Sequence, residues 1–416
     1  MILEDFPGWT GQNERIITGM SGMKRVLDAI RAKMSLTDKP PVKAPMNALV
    51  LSGGGARAAY QAGVLRFIAD QYPEADFPIL TGVSAGSINA AGIGNDETSF
   101  NAATSKLVHC WSSIQSSDVF EAPSSVSYLW NALRGSSEAQ SGEFVPRHGI
   151  VDTSPLRDYL CRILDAPDGK LEGIAHNIAQ KRLRAIALVS TNYATGQTVS
   201  WLQGQQTKGW ERPNRVGREE ELTVDHILAS SSLPFLFPAI PLGDSWYGDG
   251  GIRLSEPLSP AIHLGADRII AVSTRYGRTR IEADRPATQG YPPAAQIFGI
   301  LLNAIFLDRM DQDASMLNRY NELLDAVPGH KWGGMRKIKL VLVRPSQDLG
   351  RLSGEYQADL SGILKLFARG LGSSDTKSPD WLSMILFEQA YTERLIDIGY
   401  ADARSQKEDF DRLFED

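Results

Sequence analysis

Gly82-Val83-Ser84-Ala85-Gly86 constrains this chain more than any other stretch. It follows the apolar run Phe77-Pro78-Ile79-Leu80 and precedes a small-residue helix predicted over Ser87 to Ala91. A strand, a tight turn and a helix in that order form a nucleophile elbow, in which small neighbours let the serine stand above the sheet edge. The pattern alone is weak, because small-residue turns are common. Two further stretches give it weight.

The first is Ser52-Gly53-Gly54-Gly55-Ala56-Arg57, between the buried-strand candidate Ala48-Leu49-Val50-Leu51 and a helix predicted over Ala58 to Asp70. A glycine run at a helix N-terminus can aim several backbone N–H groups, and a partial positive charge, at one point. A phosphate loop would end in Gly-Lys-Ser or Gly-Lys-Thr, which Arg57-Ala58 does not supply. A dinucleotide loop spaces its three glycines over six positions, whereas these are contiguous. An oxyanion hole built from Gly53, Gly54 and Gly55 for Ser84 is the better reading. The second stretch is Asp249-Gly250-Gly251. Taken alone it is an ordinary surface turn. Beside the other two it offers a carboxylate that could accept the Ser84 proton.

The six histidines, His109, His148, His176, His226, His263 and His330, stand in no catalytic motif. A serine–acid–histidine order would require His263 or His330 after Asp249. His263 falls in a helical-looking stretch, Pro257 to Leu264, and His330 follows the turn Val327-Pro328-Gly329. Asp308, Asp311 and Asp313 share a predicted helix with Arg309, which reads as a solvated face rather than a calcium site. No metal and no cofactor are expected.

Strands are predicted at Ala185 to Ser190, Arg268 to Ser273 and Ile338 to Val343, all short, β-branched and almost continuously apolar. That pattern suits a largely parallel sheet buried on both faces. Helices are predicted at 101–115, 154–164, 224–230, 294–326, 380–396 and 405–414. Residues 116–150 and 203–220 read as insertions. The first carries Tyr128, Leu129, Trp130 and Leu133, and is either a lid that touches lipid or a surface excursion packed on the core. Near the N-terminus Ile16, Met20, Met23, Leu27, Ile30 and Met34 form a helical stripe with basic residues off it. A helix packed on the globule is favoured there over a membrane-surface helix. Lys39 to Pro45 then forms a stiff linker. The domain reading is an extension and linker over 1–45, a catalytic core over 46–260, and an α/β completion with a helical tail over 261–416.

The net charge of −6 argues against general nucleic-acid binding. Cys110 and Cys161 form no metal or redox motif. The first ten residues hold Glu4 and Asp5 and no apolar signal core, so no secretory signal peptide is read there. The longest apolar segment, Ile297 to Leu307, is too short to span a bilayer. A cytoplasmic location follows as the expectation, with any membrane contact peripheral.

Gly-Gly-Gly-x-Arg, Gly-x-Ser-x-Gly and Asp-Gly-Gly, in this order, resemble the patatin-like phospholipase family. Ala229-Ser230-Ser231-Ser232-Leu233-Pro234-Phe235-Leu236-Phe237-Pro238 and Thr191-Asn192-Tyr193-Ala194-Thr195-Gly196 agree with it, and the resemblance runs from about residue 46 to about 260. Ser52 stands where many members have Asp, and Ala58 where many have Gly. The resemblance implies a three-layer α/β fold with a nucleophile elbow and flanking helices. It also implies a Ser-Asp dyad of Ser84 and Asp249, an acyl-serine intermediate, and hydrolysis of fatty-acyl esters such as phospholipids. Arg57 would meet either a phospholipid headgroup or a nearby acidic side chain. An acyltransferase using the same acyl-serine and an inactive lipid-binding scaffold are the competing readings. Both dyad residues and all three glycines are present, which counts against the scaffold.

Overall fold

The computed structural model of the chain describes residues 45–121, 149–205, 207–284, 294–306, 309–327, 335–359 and 380–415. The 14–34 stripe, the 39–44 stretch and the aromatic cluster of the first insertion lie outside them. Residues Met46 to Asp416 form one compact unit, so the part beyond residue 260 is continuous with the part before it.

A mostly parallel sheet runs through this unit. Its strands are β1 (Asn47–Leu51), β2 (Ile79–Val83), β3 (Ala185–Asn192), β4 (Thr198–Gly204), β5 (Glu211–Arg212), β6 (Arg215–Glu219), β7 (Ile240–Leu242), β8 (Ser245–Asp249), β9 (Arg268–Val272) and β10 (Lys339–Val343). The spatial order is β10-β9-β1-β2-β3-β4-β6-β5, with β8 pairing to β3 and β7 pairing to β8. From β10 to β3 every pairing is parallel, and β4 and β8 pair antiparallel to β3.

The apolar runs of the parallel strands divide residue by residue between two cores. Leu49 and Leu51 of β1, and Ile270 and Val272 of β9, face the larger core. Ala48, Val50, Ile269 and Ala271 face the smaller one. Successive side chains on a strand point to opposite faces, so a strand covered on both sides must be apolar throughout. This is the three-layer α/β arrangement that the sequence suggests.

On the larger side lie α1 (Ala58–Gln71), α2 (Ala85–Asn95), α3 (Phe100–Ser113), α4 (Ser154–Ile163), α5 (Glu172–Ala179) and α6 (Val224–Ser231). On the smaller side are α7 (Ser259–His263) and α9 (Arg309–Ala326). α8 (Ala294–Phe306) precedes α9, and residues 307–308 between them lie outside the described residues. The predicted 380–396 helix is two, α10 (Asp380–Ile385) and α11 (Gln389–Ser405), followed by α12 (Lys407–Phe414). Residues 386–388 leave the helical conformation between α10 and α11, and Trp381 through Phe387 are all buried.

The polar stretch 203–220 is not a loop throughout: it supplies β5 and β6 at the sheet edge. Edge strands carry charge on their exposed positions, which hides them from a search for apolar runs. Among the described residues no helix is long and apolar enough to cross a membrane.

Candidate active site

In the strand order, β1 leads outward one way to β2 and β3, while β9 and β10 lie on its other side. Ligands of open α/β sheets bind at the carboxyl ends of strands at such a reversal. The glycine loop follows β1, Ser84 follows β2, and Thr274 follows β9. The three meet there.

Ser84 is held with φ 54 and ψ −135, a conformation that L-residues avoid and that occurs at functional turns. Its N–H donates to Ser230 Oγ at 3.0 Å, and Ser230 in turn donates to the Val189 carbonyl at 2.6 Å. Its carbonyl accepts from the Ser87 N–H and hydroxyl. With the backbone fixed from both sides, the side chain projects into a cavity.

The glycine loop lies directly against this serine. A Cβ built on Gly53 would stand 2.8 Å from Ser84 Cβ. Gly55 has φ +57, and a Cβ there would run into the Met384 carbonyl. Thr274 Oγ1 donates to the Gly53 carbonyl at 2.6 Å, and Gln61 Nε2 to the Ser52 carbonyl at 2.7 Å. The loop carbonyls are thus held, while the N–H groups of Gly53, Gly54 and Gly55 meet no hydrogen-bond acceptor among the described residues. Asn89 joins Gln61 Oε1 (2.9 Å) to Trp111 Nε1 (2.7 Å), so a buried polar chain runs from the cavity wall to the loop.

Asp249 closes β8 and is 0% exposed. Its N–H donates to the Ser232 carbonyl at 3.0 Å, and its own carbonyl accepts from Thr191 Oγ1 at 2.8 Å. Oδ1 accepts the Gly251 N–H at 2.8 Å. Oδ2 has no hydrogen bond of ordinary geometry among the described residues. Burial pushes the carboxyl pKa up to about 7, against the opposing pull of the nearby Ser84 hydroxyl and of Gly251 N–H. Ser84 therefore stands near enough to Asp249 to influence its carboxyl, with no hydrogen bond of ordinary geometry at Oδ2.

Ser84 and Gly55 open into an apolar cavity walled by Ile88, Trp111, Leu160, Leu233, Phe237 and Phe387 among others. Phe120, at the near end of the first insertion, packs its ring 6.1 Å from Phe237 and 6.4 Å from Phe387. The wall is suited to a hydrocarbon chain and offers nothing to pair with a charged group.

Arg57 does not present itself to this cavity. It is 3% exposed, and its Nε donates to Ser383 Oγ at 2.7 Å. A headgroup contact would need an accessible cation, whereas this guanidinium lies in the seam between the glycine loop and α10. At Nε its partner is a neutral hydroxyl.

The histidines divide in the same way. His226 Nδ1 accepts the Thr223 N–H at 3.1 Å, its ring lies 4.9 Å from Trp201, and burial pulls its pKa down to about 4. It caps α6 as a neutral ring. His263 stacks on Trp210 at 4.9 Å, and burial lowers its pKa too. His330 lies outside the described residues. Of the three clustered aspartates, Asp311 pairs with Arg275 and Arg344 at 2.9 Å each. Asp313 accepts the Leu258 N–H at 2.8 Å, and burial raises its pKa to about 6. These two are tied into the fold instead of sharing one solvated face. Among the described residues no group of three or more His, Cys, Asp or Glu could hold a metal ion.

The sequence reading missed Ser230, which holds Ser84 in place, and the segment 381–387. Ser230 sits within a stretch already singled out, but its role depends on a contact 146 residues away.

Fold and site define a three-layer α/β protein with a serine and a buried carboxylate at the strand ends. A family described as patatin-like phospholipase matches residues 49–262, and the chain belongs to that family. Membership supports a lipid acyl hydrolase in general terms. No curated protein matches the chain. Distant likenesses exist among solved structures. VipD from Legionella pneumophila is 12% identical, with 85% of this chain and 67% of that chain covered and a TM-score of 0.34. Human GIVD cytosolic phospholipase A2, solved with methyl gamma-linolenyl fluorophosphonate, is 12% identical over 89% of this chain, at a TM-score of 0.43. The chain covers 58% of that phospholipase's length. ExoU from Pseudomonas aeruginosa, solved with SpcU, is 17% identical over 57% of this chain and 45% of its own, at a TM-score of 0.27.

The family match ends well before Ser383, Met384 and Phe387, which touch Arg57, Gly55 and the cavity. Residues 46–262 expressed alone are expected to show no cooperative thermal transition, because α1 loses its packing against α11 and β1 loses β9. A sharp calorimetric melt of that fragment would contradict this.

Proposed function

We propose that the protein is a serine esterase of the phospholipase A type, cleaving fatty-acyl esters through an acyl-Ser84 intermediate with Asp249 as the base. The observation that carries this reading is the approach of a strained, cavity-facing Ser84 to a fully buried carboxylate. An exposed aspartate, with a pKa near 3.9, is a weak base for a hydroxyl. One near 7 is ionised in about half of the molecules at neutral pH and is able to hold a proton.

In the proposed cycle, Oγ of Ser84 attacks the ester carbonyl while Asp249 takes its proton. The negative charge on the carbonyl oxygen is met by the free N–H groups of the Gly53–Gly55 loop. Collapse breaks the ester C–O bond, and the proton on Asp249 passes to the leaving alcohol oxygen. Water, deprotonated by Asp249, then attacks acyl-Ser84, and the proton returns to Ser84 as fatty acid leaves. The apolar cavity holds the acyl chain. Arg57 acts as a positioning residue, fixing the glycine loop to Ser383.

The test is fatty-acid release from mixed phospholipid vesicles, alongside a short p-nitrophenyl ester and labelling by a fluorophosphonate probe. Release of fatty acid, with the probe on Ser84, supports the reading. Cleavage of the short ester alone would withdraw the lipid assignment.

The pH profile follows from Asp249. The base works only as the carboxylate, so kcat/KM should rise from pH 5 and level off above an apparent pKa of about 7. A rise centred near pH 4 would mean that the base is an exposed carboxylate elsewhere. Ser383→Ala should lower kcat on the short ester several-fold while leaving KM nearly unchanged, since it loosens the loop and not the acyl wall. A change confined to KM would point instead to a substrate contact at Arg57.

A further inference from the structure

The cavity that holds Ser84 ends against a second, outer cleft, and the two share three lining side chains, Leu107, Cys110 and Ile163. The inner side is apolar. The outer side carries Asp96, Glu97, Lys106, Asp165 and Glu172, with Lys106 paired to Asp96. Leu107 is buried, whereas Cys110 and Ile163 are partly exposed, as a thin wall between a dry space and a wet one requires.

We propose that Leu107, Cys110 and Ile163 form the wall that sets the length of acyl chain accepted at Ser84. This rests on the acyl-ester reading above. A chain with its carbonyl at Ser84 gains binding for each methylene laid in the apolar cavity. A methylene forced past the wall meets carboxylates and an ammonium group, gains nothing, and displaces water from charged groups. Length is therefore read as a step at the wall.

The wall is built to stay in place. Leu107 lies over Gly92, where a Cβ would stand 2.7 Å from Leu107 Cδ2. Tyr159 Oη donates to the Cys110 carbonyl at 2.9 Å, tying α3, which carries Leu107 and Cys110, to α4, which carries Ile163. Two helices thus contribute the wall and are clamped beside it.

The test is kcat/KM on p-nitrophenyl butyrate, octanoate, laurate and palmitate, with thermal melts to confirm folding. Ile163→Trp should thicken the wall and lower the palmitate-to-butyrate ratio at least about tenfold, the discrimination that a single methylene of misfit can supply. Leu107→Ala should thin it and move the preferred ester to a longer chain. Should Leu107→Ala not fold, Ile163→Ala provides the same arm. Ratios that ignore the variants, or shift the same way for both, overturn the wall while leaving the esterase reading intact. A wild type that cleaves none of the four esters overturns that reading, and the wall with it.

Discussion

Replacing Ser84 by alanine should lower ester hydrolysis by at least about 10⁴-fold, and Asp249→Asn should do nearly the same. The two losses should not add in the double variant, because nucleophile and base act as one unit in the proposed cycle. What remains would come from the glycine loop and from substrate binding. The two variants part company in stability. The Asp249 carboxyl binds its proton more tightly in the folded protein, near pH 7, than in an unfolded chain, near 3.8. Between those values the folded state holds more protons than the unfolded one, so stability falls as pH rises, and above pH 7 the whole penalty is present. Asparagine keeps an oxygen for the Gly251 N–H and carries no charge. Asp249→Asn should therefore melt a few degrees above wild type at pH 8, with the gap closing toward pH 5. Equal melting temperatures at pH 8 would show that the carboxylate is not strained by its burial.

Gly55→Ala should be the most damaging change to the loop. Alanine at φ +57 carries a backbone cost of order 1–3 kcal/mol, and its Cβ would overlap the Met384 carbonyl. Relief requires the loop or the 381–387 segment to move, which turns the N–H groups away from the point where charge develops. One misaligned donor of this kind costs about 10²–10³ in kcat. Gly55→Ala should fall by at least that much on the short ester while keeping its cooperative melt and its fluorophosphonate label on Ser84. Turnover within tenfold of wild type would remove Gly55 from the oxyanion hole.

Much of this was legible because the chemistry is local. The elbow around Ser84, the loop at 53–55 and the turn after Asp249 each occupy a few consecutive residues. The parallel strands were legible for a different reason: with helices on both faces they have no polar side, and Leu49-Val50-Leu51 or Arg268 to Val272 announce themselves. What escaped was long-range or edge structure. β5 and β6 are polar because they border solvent. The break inside 380–396 falls in a stretch that keeps a helical pattern. Arg57 read as meeting a headgroup or an acidic neighbour, and nothing near it in sequence shows that Ser383, 326 residues later, accepts its Nε–H. Its burial is a property of tertiary packing alone.

The seam at Ser383, Met384 and Phe387 also bears on when the site can be assembled as the chain is made. Synthesis runs from the amino end, so Ser84, the glycine loop and Asp249 leave the ribosome long before residues 381–387 do. Until those residues arrive, Gly55 has no carbonyl to rest against, Arg57 lacks its hydroxyl, and the acyl cavity is missing the Phe387 side of its wall. A nascent chain stalled or clipped before this point carries Ser84, the glycine loop and Asp249 without the 381–387 side of the site. The order of translation thereby withholds this part of the site until residues 381–387 have been made.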